Sequence, residues 1–263
     1  MKMTKPIAEI IDDKTIHVYD KTQFDWHAIR NCGQIFRNPP CEIIEQDDKV
    51  IIRGTDKNSA WLWNYFDLDT DYDVIKRELL GRFGLLAEPI RLGKGIRILR
   101  QPFVETVICF IISANNNIRR FEKTIAQMNF DLSWLANQSV DDFKKMGCGY
   151  RAPYLVKAIS LLCQPNLVDS LVGSTCARSF IEELIKLPGV GKKVASCIAL
   201  FADVLPNEQR FTICPIDVHI KRALEQLGET QADVILNHKY ARVAQQYIFY
   251  YMQHLKKNFK EAK

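Results

Sequence analysis

Two lysines stand side by side in LPGVGKKVASC, residues 187–197, where a Gly-Val-Gly turn runs into an apolar helical pattern. A nucleotide-binding P-loop needs G-x-x-x-x-G-K followed by Ser or Thr, with the first glycine for backbone approach and the hydroxyl for magnesium. Here Lys186 takes the first glycine's place and Lys193 the hydroxyl's, so the ATP reading fails. What remains is a hairpin opening a helix, whose unbonded N–H groups can take an anion such as a DNA backbone phosphate, with Gly189 and Gly191 beside it. A lysine amine attacks carbon only when neutral, and a helix N-terminus beside a second cation favours the neutral form. Lys193, next to Lys192, fits that requirement. Asp217, 24 residues beyond Lys193 in CPIDVHIKRAL, precedes another helical pattern. Taken singly, Asp217 reads as an N-cap and Lys193 as a solvated surface lysine.

The elements that must position these groups fall into two kinds. From about 14 to 66, β-rich runs dominate: KTIHVYD, GQIF, CEIIEQDDKVIIRGT split by Asp47-Asp48, and AWLWNYF. An antiparallel sheet is expected there. Beyond DLDTDYD the apolar period becomes 3.6, and helices are expected at 71–83, 103–113, 118–128, 140–145, 152–163, 177–186, 192–203, 218–227 and 234–256. The expectation is an α+β protein, with an N-terminal antiparallel β-sheet domain at 1–82 and a larger all-helical domain at 83–263.

Composition narrows the classes. With 263 residues, 47% hydrophobic and 25% charged, the chain can build its own core. Its 36 Lys and Arg against 31 Asp and Glu give +5, enough for a local basic face but no proof of a nucleic-acid partner. Eight cysteines at 32, 41, 109, 148, 163, 176, 197 and 214 include no C-x-x-C pair, which argues for free thiols in a reducing compartment and against a zinc ribbon. The start, MKMTKPIAEIIDDK, lacks a signal peptide's apolar core, and the run VICFII is too short to span a bilayer. A soluble intracellular protein without a membrane partner is expected, in the cytoplasm or nucleoid if the source is bacterial.

The pairing of LPGVGKK with the later aspartate resembles the helix-hairpin-helix, Gly/Pro-rich loop and aspartate signature of a DNA glycosylase superfamily. Three further stretches, GQIFR (33–37), ISANNNIRR (112–120) and GCGYRAPY (147–154), resemble the 8-oxoguanine DNA glycosylases in the same order. YFDLD (65–69), IRILRQ (96–101) and AQQYIF (244–249) extend the resemblance over nearly the whole chain. The endonuclease III branch carries four closely spaced cysteines after the aspartate for an iron–sulfur cluster, and no cysteine follows Cys214 here. Departures are Asn38, where many relatives have Trp, and Ser196, where some have Asp.

The resemblance implies a role for each residue. Lys193 would attack C1′ of the deoxyribose, displace the damaged base and form a Schiff base that loses the 3′ phosphate by β-elimination. Asp217 would stabilise the oxocarbenium-like transition state while capping its helix, and His219 would neighbour a phosphate. Asn115, Arg120 and Arg151 match the family's cytosine-reading residues, with Tyr150 as the wedge beside the orphaned base. In the base pocket, 8-oxoguanine carries a hydrogen on N7 where guanine has a lone pair, so one carbonyl acceptor tells them apart. Gly33 matches the family glycine supplying that carbonyl, although a plain turn glycine would look the same. Gln245 and Phe249, spaced i, i+4, would offer an amide to the Watson–Crick edge and a ring for stacking, with Cys197 on the other side of the base.

The resulting expectation is a monomeric, metal-free and cofactor-free glycosylase and abasic-site lyase acting on double-stranded DNA with 8-oxoguanine opposite cytosine. Two alternatives compete. A non-catalytic helix-hairpin-helix module would give no reason for Lys193, Asp217, Gln245 and Phe249 to occur together. A glycosylase for alkylated bases needs the aspartate but not the lysine.

Overall fold

The computed structural model describes residues 7–116, 118–213 and 232–261. The chain divides into two compact units, one of Met1–Arg100 with Ile216–Lys263, the other of Gln101–Pro215. The expected boundary at 82/83 falls well after the last strand, which ends at Gly54. The compact units are cut elsewhere, because the chain's last helix packs in the first unit.

In the first unit, β1 (Ala8–Ile10), β2 (Thr15–Val18), β3 (Cys41–Glu45) and β4 (Val50–Gly54) form an antiparallel sheet in the order β1-β2-β4-β3. Ile16 pairs with Ile52, and Ile52 with Ile43. Ile16, Val18, Val50 and Ile52 are buried against Phe24, Ile29, Leu62, Tyr65, Phe66 and Leu99, which is the period-2 alternation of a one-sided sheet. The Asp47-Asp48 turn is closed by Gln46 N–H donating to the Lys49 carbonyl at 2.9 Å. Helices α1 (Trp26–Asn31), α2 (Ser59–Tyr65), α3 (Tyr72–Arg82) and α4 (Ala87–Leu92) follow the chain through this unit.

Two expected strands are absent. AWLWNYF folds as α2, because the Asn58 side chain accepts the Trp61 N–H at 2.9 Å and starts a helix that buries Leu62 and Tyr65. GQIF is irregular, with Gly33 at φ +81, outside strand geometry.

The second unit is helical: α5 (Phe103–Ser113), α6 (Ile118–Ile125), α7 (Leu132–Ala136), α8 (Val140–Lys145), α9 (Ala152–Leu162), α10 (Pro165–Val172), α11 (Ala177–Leu184), α12 (Lys192–Phe201) and α13 (Asn207–Arg210). At its centre α5 buries Phe103 and every residue from Thr106 to Ile112, against α9 and α12. A helix apolar all round has to be a core helix. Helices α1, α4, α7, α10 and α13 are too short, at 4 to 8 residues, for their period to stand out in the sequence. The helix expected at 218–227 lies outside the described residues. The one expected at 234–256 is two, α14 (Ala232–Leu236) and α15 (Ala241–Glu261), both in the first unit. Among the described residues no single helix is long and apolar enough to cross a membrane.

Candidate active site

The hairpin joins α11 to α12. Leu187 N–H donates to the Leu184 carbonyl and Val190 N–H to the Leu187 carbonyl, at 3.0 and 3.1 Å, while both side chains are buried. Gly189 sits at φ +83, and a Cβ there would lie 3.0 Å from Tyr154 Cβ and 3.2 Å from Ile111 Cγ2. Only glycine meets both demands, so the turn is pressed onto α9 and α5. Gly191 is the extended N-cap of α12 with no side-chain cap, and nothing lies within 4 Å of where its Cβ would be. The start of α12 is therefore open on that side, with Lys192 and Lys193 exposed at its first two positions. A positive helix end, a backbone without a side-chain cap and two cations are features that attract an anion. Lys193 shares its helix face with half-buried Cys197 at i, i+4. Asp217 and His219 lie outside the described residues.

The four residues assigned to the opposite strand come together in the second unit. Arg151, 4% exposed, donates from Nε to the Ala114 carbonyl at 2.7 Å and from Nη2 to the Ala114 and Asn115 carbonyls, the latter at 2.7 Å. Its guanidinium lies 4.3 Å from the Tyr150 ring centroid, and that ring is 60% exposed. Arg151 thus fixes both the loop that carries Asn115, itself at φ +49, and the aromatic beside it. Arg120 is exposed and donates from Nη2 to the Gly147 carbonyl at 3.3 Å. Gly147 and Gly149, at φ +97 and +58, turn the loop between α8 and α9 so that Tyr150 and Arg151 follow at once. Burial pushes the neighbouring Cys148 thiol up to about 11.

Gly33, Gln245 and Phe249 meet in the first unit. A Cβ on Gly33 would stand 2.7 Å from Phe249 Cε1, so the ring rests against the glycine backbone. Gln245, 7% exposed, accepts at Oε1 from Arg242 Nη1 at 2.6 Å. Cys197 and Lys193 belong to the other unit.

Three supporting residues were missed in the sequence. Gln34, fully buried, donates to the Arg97 carbonyl at 2.7 Å and accepts the Leu99 N–H at 3.0 Å. Gln246 donates to the Cys32 carbonyl, immediately before Gly33. The buried Arg242 holds Gln245. Two of these sit inside GQIFR and AQQYIF, so the signal was adjacency: a buried amide next to a site residue fixes backbone. Arg97 plays the same part more widely. Its buried guanidinium donates to the carbonyls of Gln23, Phe66, Asp67 and Thr70 and covers the Tyr72 ring at 4.5 Å, while Arg100 pairs with Asp67 at 3.2 Å. These contacts give YFDLD and IRILRQ their structural meaning. Among the described residues, no three His, Cys, Asp or Glu side chains gather to hold a metal ion.

A family model described as the N-terminal domain of 8-oxoguanine DNA glycosylase matches residues 20–107. An N-glycosylase/DNA lyase of Arabidopsis thaliana is 32% identical over 160 residues, 53% of this chain, and one of Saccharomyces cerevisiae is 29% identical over 158 residues. The chain covers only 42% and 41% of the lengths of those relatives. The 8-oxoguanine glycosylase/lyase of Clostridium acetobutylicum, solved with double-stranded DNA containing cytosine opposite 8-oxoG, superposes with a TM-score of 0.80 at 28% identity, over 95% of this chain and 99% of that one. A 3-methyladenine DNA glycosylase of Archaeoglobus fulgidus, at 16% identity and a TM-score of 0.60, shares the fold. The N-terminal match and the superposition over 95% of this chain agree: the chain is similar to the 8-oxoguanine DNA glycosylases in sequence over its first part and in fold over nearly its whole length.

Proposed function

We propose that the protein excises 8-oxoguanine from double-stranded DNA, preferring cytosine opposite the lesion, and then cleaves the abasic strand. The target base must leave the stack before its C1′ can be reached. The amine of Lys193 then donates its lone pair to form a bond to C1′ as the bond to the base breaks, and the base departs with the electron pair of that broken bond and takes up a proton. Ring opening gives the Schiff base, and loss of a 2′ proton expels the 3′ phosphate. Asp217 stabilises the positive charge that develops on the sugar, and His219, Gly189 and Gly191 face phosphates. Asn115, Arg120 and Arg151 read the unpaired cytosine, with Tyr150 filling the gap beside it. The protein acts as a monomer inside the cell, where its DNA is, and the chemistry needs no metal or cofactor.

The observation that carries this reading is the contact between Phe249 and Gly33. Residues over two hundred positions apart in sequence bring a flat ring and a side-chain-free backbone together, beside the buried amide of Gln245. That is the equipment needed to stack a planar base and test its edge.

The test is borohydride trapping on a duplex with 8-oxoguanine opposite cytosine. Wild type should give a covalent protein–DNA adduct and Lys193→Gln none. A wild-type protein that binds the duplex but forms no adduct and releases no base would be a non-catalytic binding module.

A further inference from the structure

Gln245 ends in a carboxamide, and a carboxamide can rotate by half a turn to exchange its acceptor and donor. Such a group pairs with either kind of purine edge: the lactam edge of an oxopurine, carbonyl beside N–H, or the amino edge of an aminopurine, NH2 beside a bare nitrogen. A free glutamine therefore discriminates poorly between them.

In this chain the rotation is blocked. Arg242 and Gln245 lie i, i+3 on α15, on the face that also carries Phe249. Arg242 is 6% exposed and Gln245 7%, and Arg242 Nη1 donates to Gln245 Oε1 at 2.6 Å. A guanidinium has five N–H donors and no acceptor. Turning the amide over would set its NH2 against an N–H of Arg242, in a place where little water reaches to relieve the conflict. The same cation lies near Cys32, whose carbonyl is held by Gln246 directly before Gly33. One buried arginine therefore borders both parts of the base pocket in this unit.

We infer that Arg242 is a specificity-determining positioning residue, which locks the polarity of the Gln245 amide so that the pocket accepts an oxopurine edge and refuses an aminopurine edge. This rests on the excision reading above. Arg242 need not touch the base. It acts by removing the one rotation that would let Gln245 accommodate the wrong edge, and the penalty is a donor facing a donor in a buried site, which typically changes selectivity by tenfold or more.

The test compares single-turnover excision of 8-oxoguanine and 8-oxoadenine, each opposite cytosine in the same duplex, for wild type, Arg242→Met and Arg242→Lys. Wild type should favour 8-oxoguanine. Arg242→Met, close in volume but without donors, should lower the 8-oxoguanine to 8-oxoadenine rate ratio about tenfold, chiefly by raising the 8-oxoadenine rate. Arg242→Lys, still a donor without an acceptor, should keep most of the discrimination. A merely structural arginine would slow both lesions together in Arg242→Met and leave the ratio at its wild-type value, which overturns the inference. Should Arg242→Met fail to fold, the ratio in Gln245→Glu decides. A carboxylate has an acceptor at both ends, so the ratio should fall there, and an unchanged ratio overturns the inference. Wild type that excises neither lesion overturns the excision reading itself.

Discussion

Replacing Gly33 with alanine probes the proposed base pocket where the Phe249 ring meets the glycine. The residue sits at φ +81, where an L side chain costs about 1–2 kcal/mol. The new methyl carbon would also lie 2.7 Å from Phe249 Cε1, so the ring must swing aside. Phe249 is 36% exposed and the atom struck is at its far end, so this movement should cost only about 0.5–1.5 kcal/mol, the price of a strained rotamer. Together Gly33→Ala should destabilise the protein by about 1.5–3.5 kcal/mol, read by denaturant unfolding. The two terms separate in a double-mutant cycle: with Phe249→Ala in the background, Gly33→Ala should cost only the backbone share, leaving a coupling of about 0.5–1.5 kcal/mol. In catalysis, the displaced ring should slow excision of 8-oxoguanine about tenfold or more, while cleavage of a preformed abasic site, which needs no base in the pocket, stays within about twofold. Equal destabilisation by Gly33→Ala in both backgrounds would refute the contact, and equal slowing of both reactions would refute its role in holding the base.

Four further outcomes follow from the site. Lys193→Gln should abolish base excision and Schiff-base trapping while duplex binding survives, and loss of both in Lys192→Gln instead would identify the other lysine. Asp217→Asn should keep its affinity for damaged DNA but lose ~10²-fold or more in rate, measured under single turnover. Arg151→Ala should flatten the preference for cytosine over adenine opposite the lesion and, because Arg151 ties down the Ala114 and Asn115 carbonyls, should also lower the unfolding midpoint; an unchanged C:A ratio would count against the cytosine-reading role. Thiol alkylation at pH 7.5, followed by peptide mass spectrometry, should modify exposed Cys176 well before Cys32, because hydrogen bonds from Ser179 lower the first thiol and burial lifts the second to about 11.

The motifs were the most legible part of the sequence, because each depends on local backbone. Gly189 must be glycine for its positive φ and for Tyr154 and Ile111, so LPGVGKK could be read as a hairpin from composition alone. The central helix α5 runs Phe103–Ser113, the span its apolar period gives. By contrast AWLWNYF carries aromatic residues that suit a strand, and a hydrogen bond accepted by the Asn58 side chain from the Trp61 N–H caps it as a helix. Local propensity was overruled there by a cap and by the burial of Leu62. Arg151 illustrates a different limit. Its residue type announces donors, but only the fold tells that two of its nitrogens face the carbonyls of residues 114 and 115. Long-range polar pairs such as Gln246 with Cys32, and Gln34 with Arg97, leave no periodic trace at all.

The first unit is built from both ends of the chain, and the second from the stretch between them. During synthesis the second unit is complete once residue 215 has left the ribosome. The first then still lacks α15, whose Ala244, Tyr247 and Ile248 are among its buried residues. The order of folding should therefore invert the order of translation: the middle of the chain can settle while its beginning waits, its apolar face unsatisfied, for the last helix to arrive. A released chain truncated before residue 241 would hold the whole second unit and an aggregation-prone first one, which makes the addition of α15 the step at which a chaperone would have most to protect.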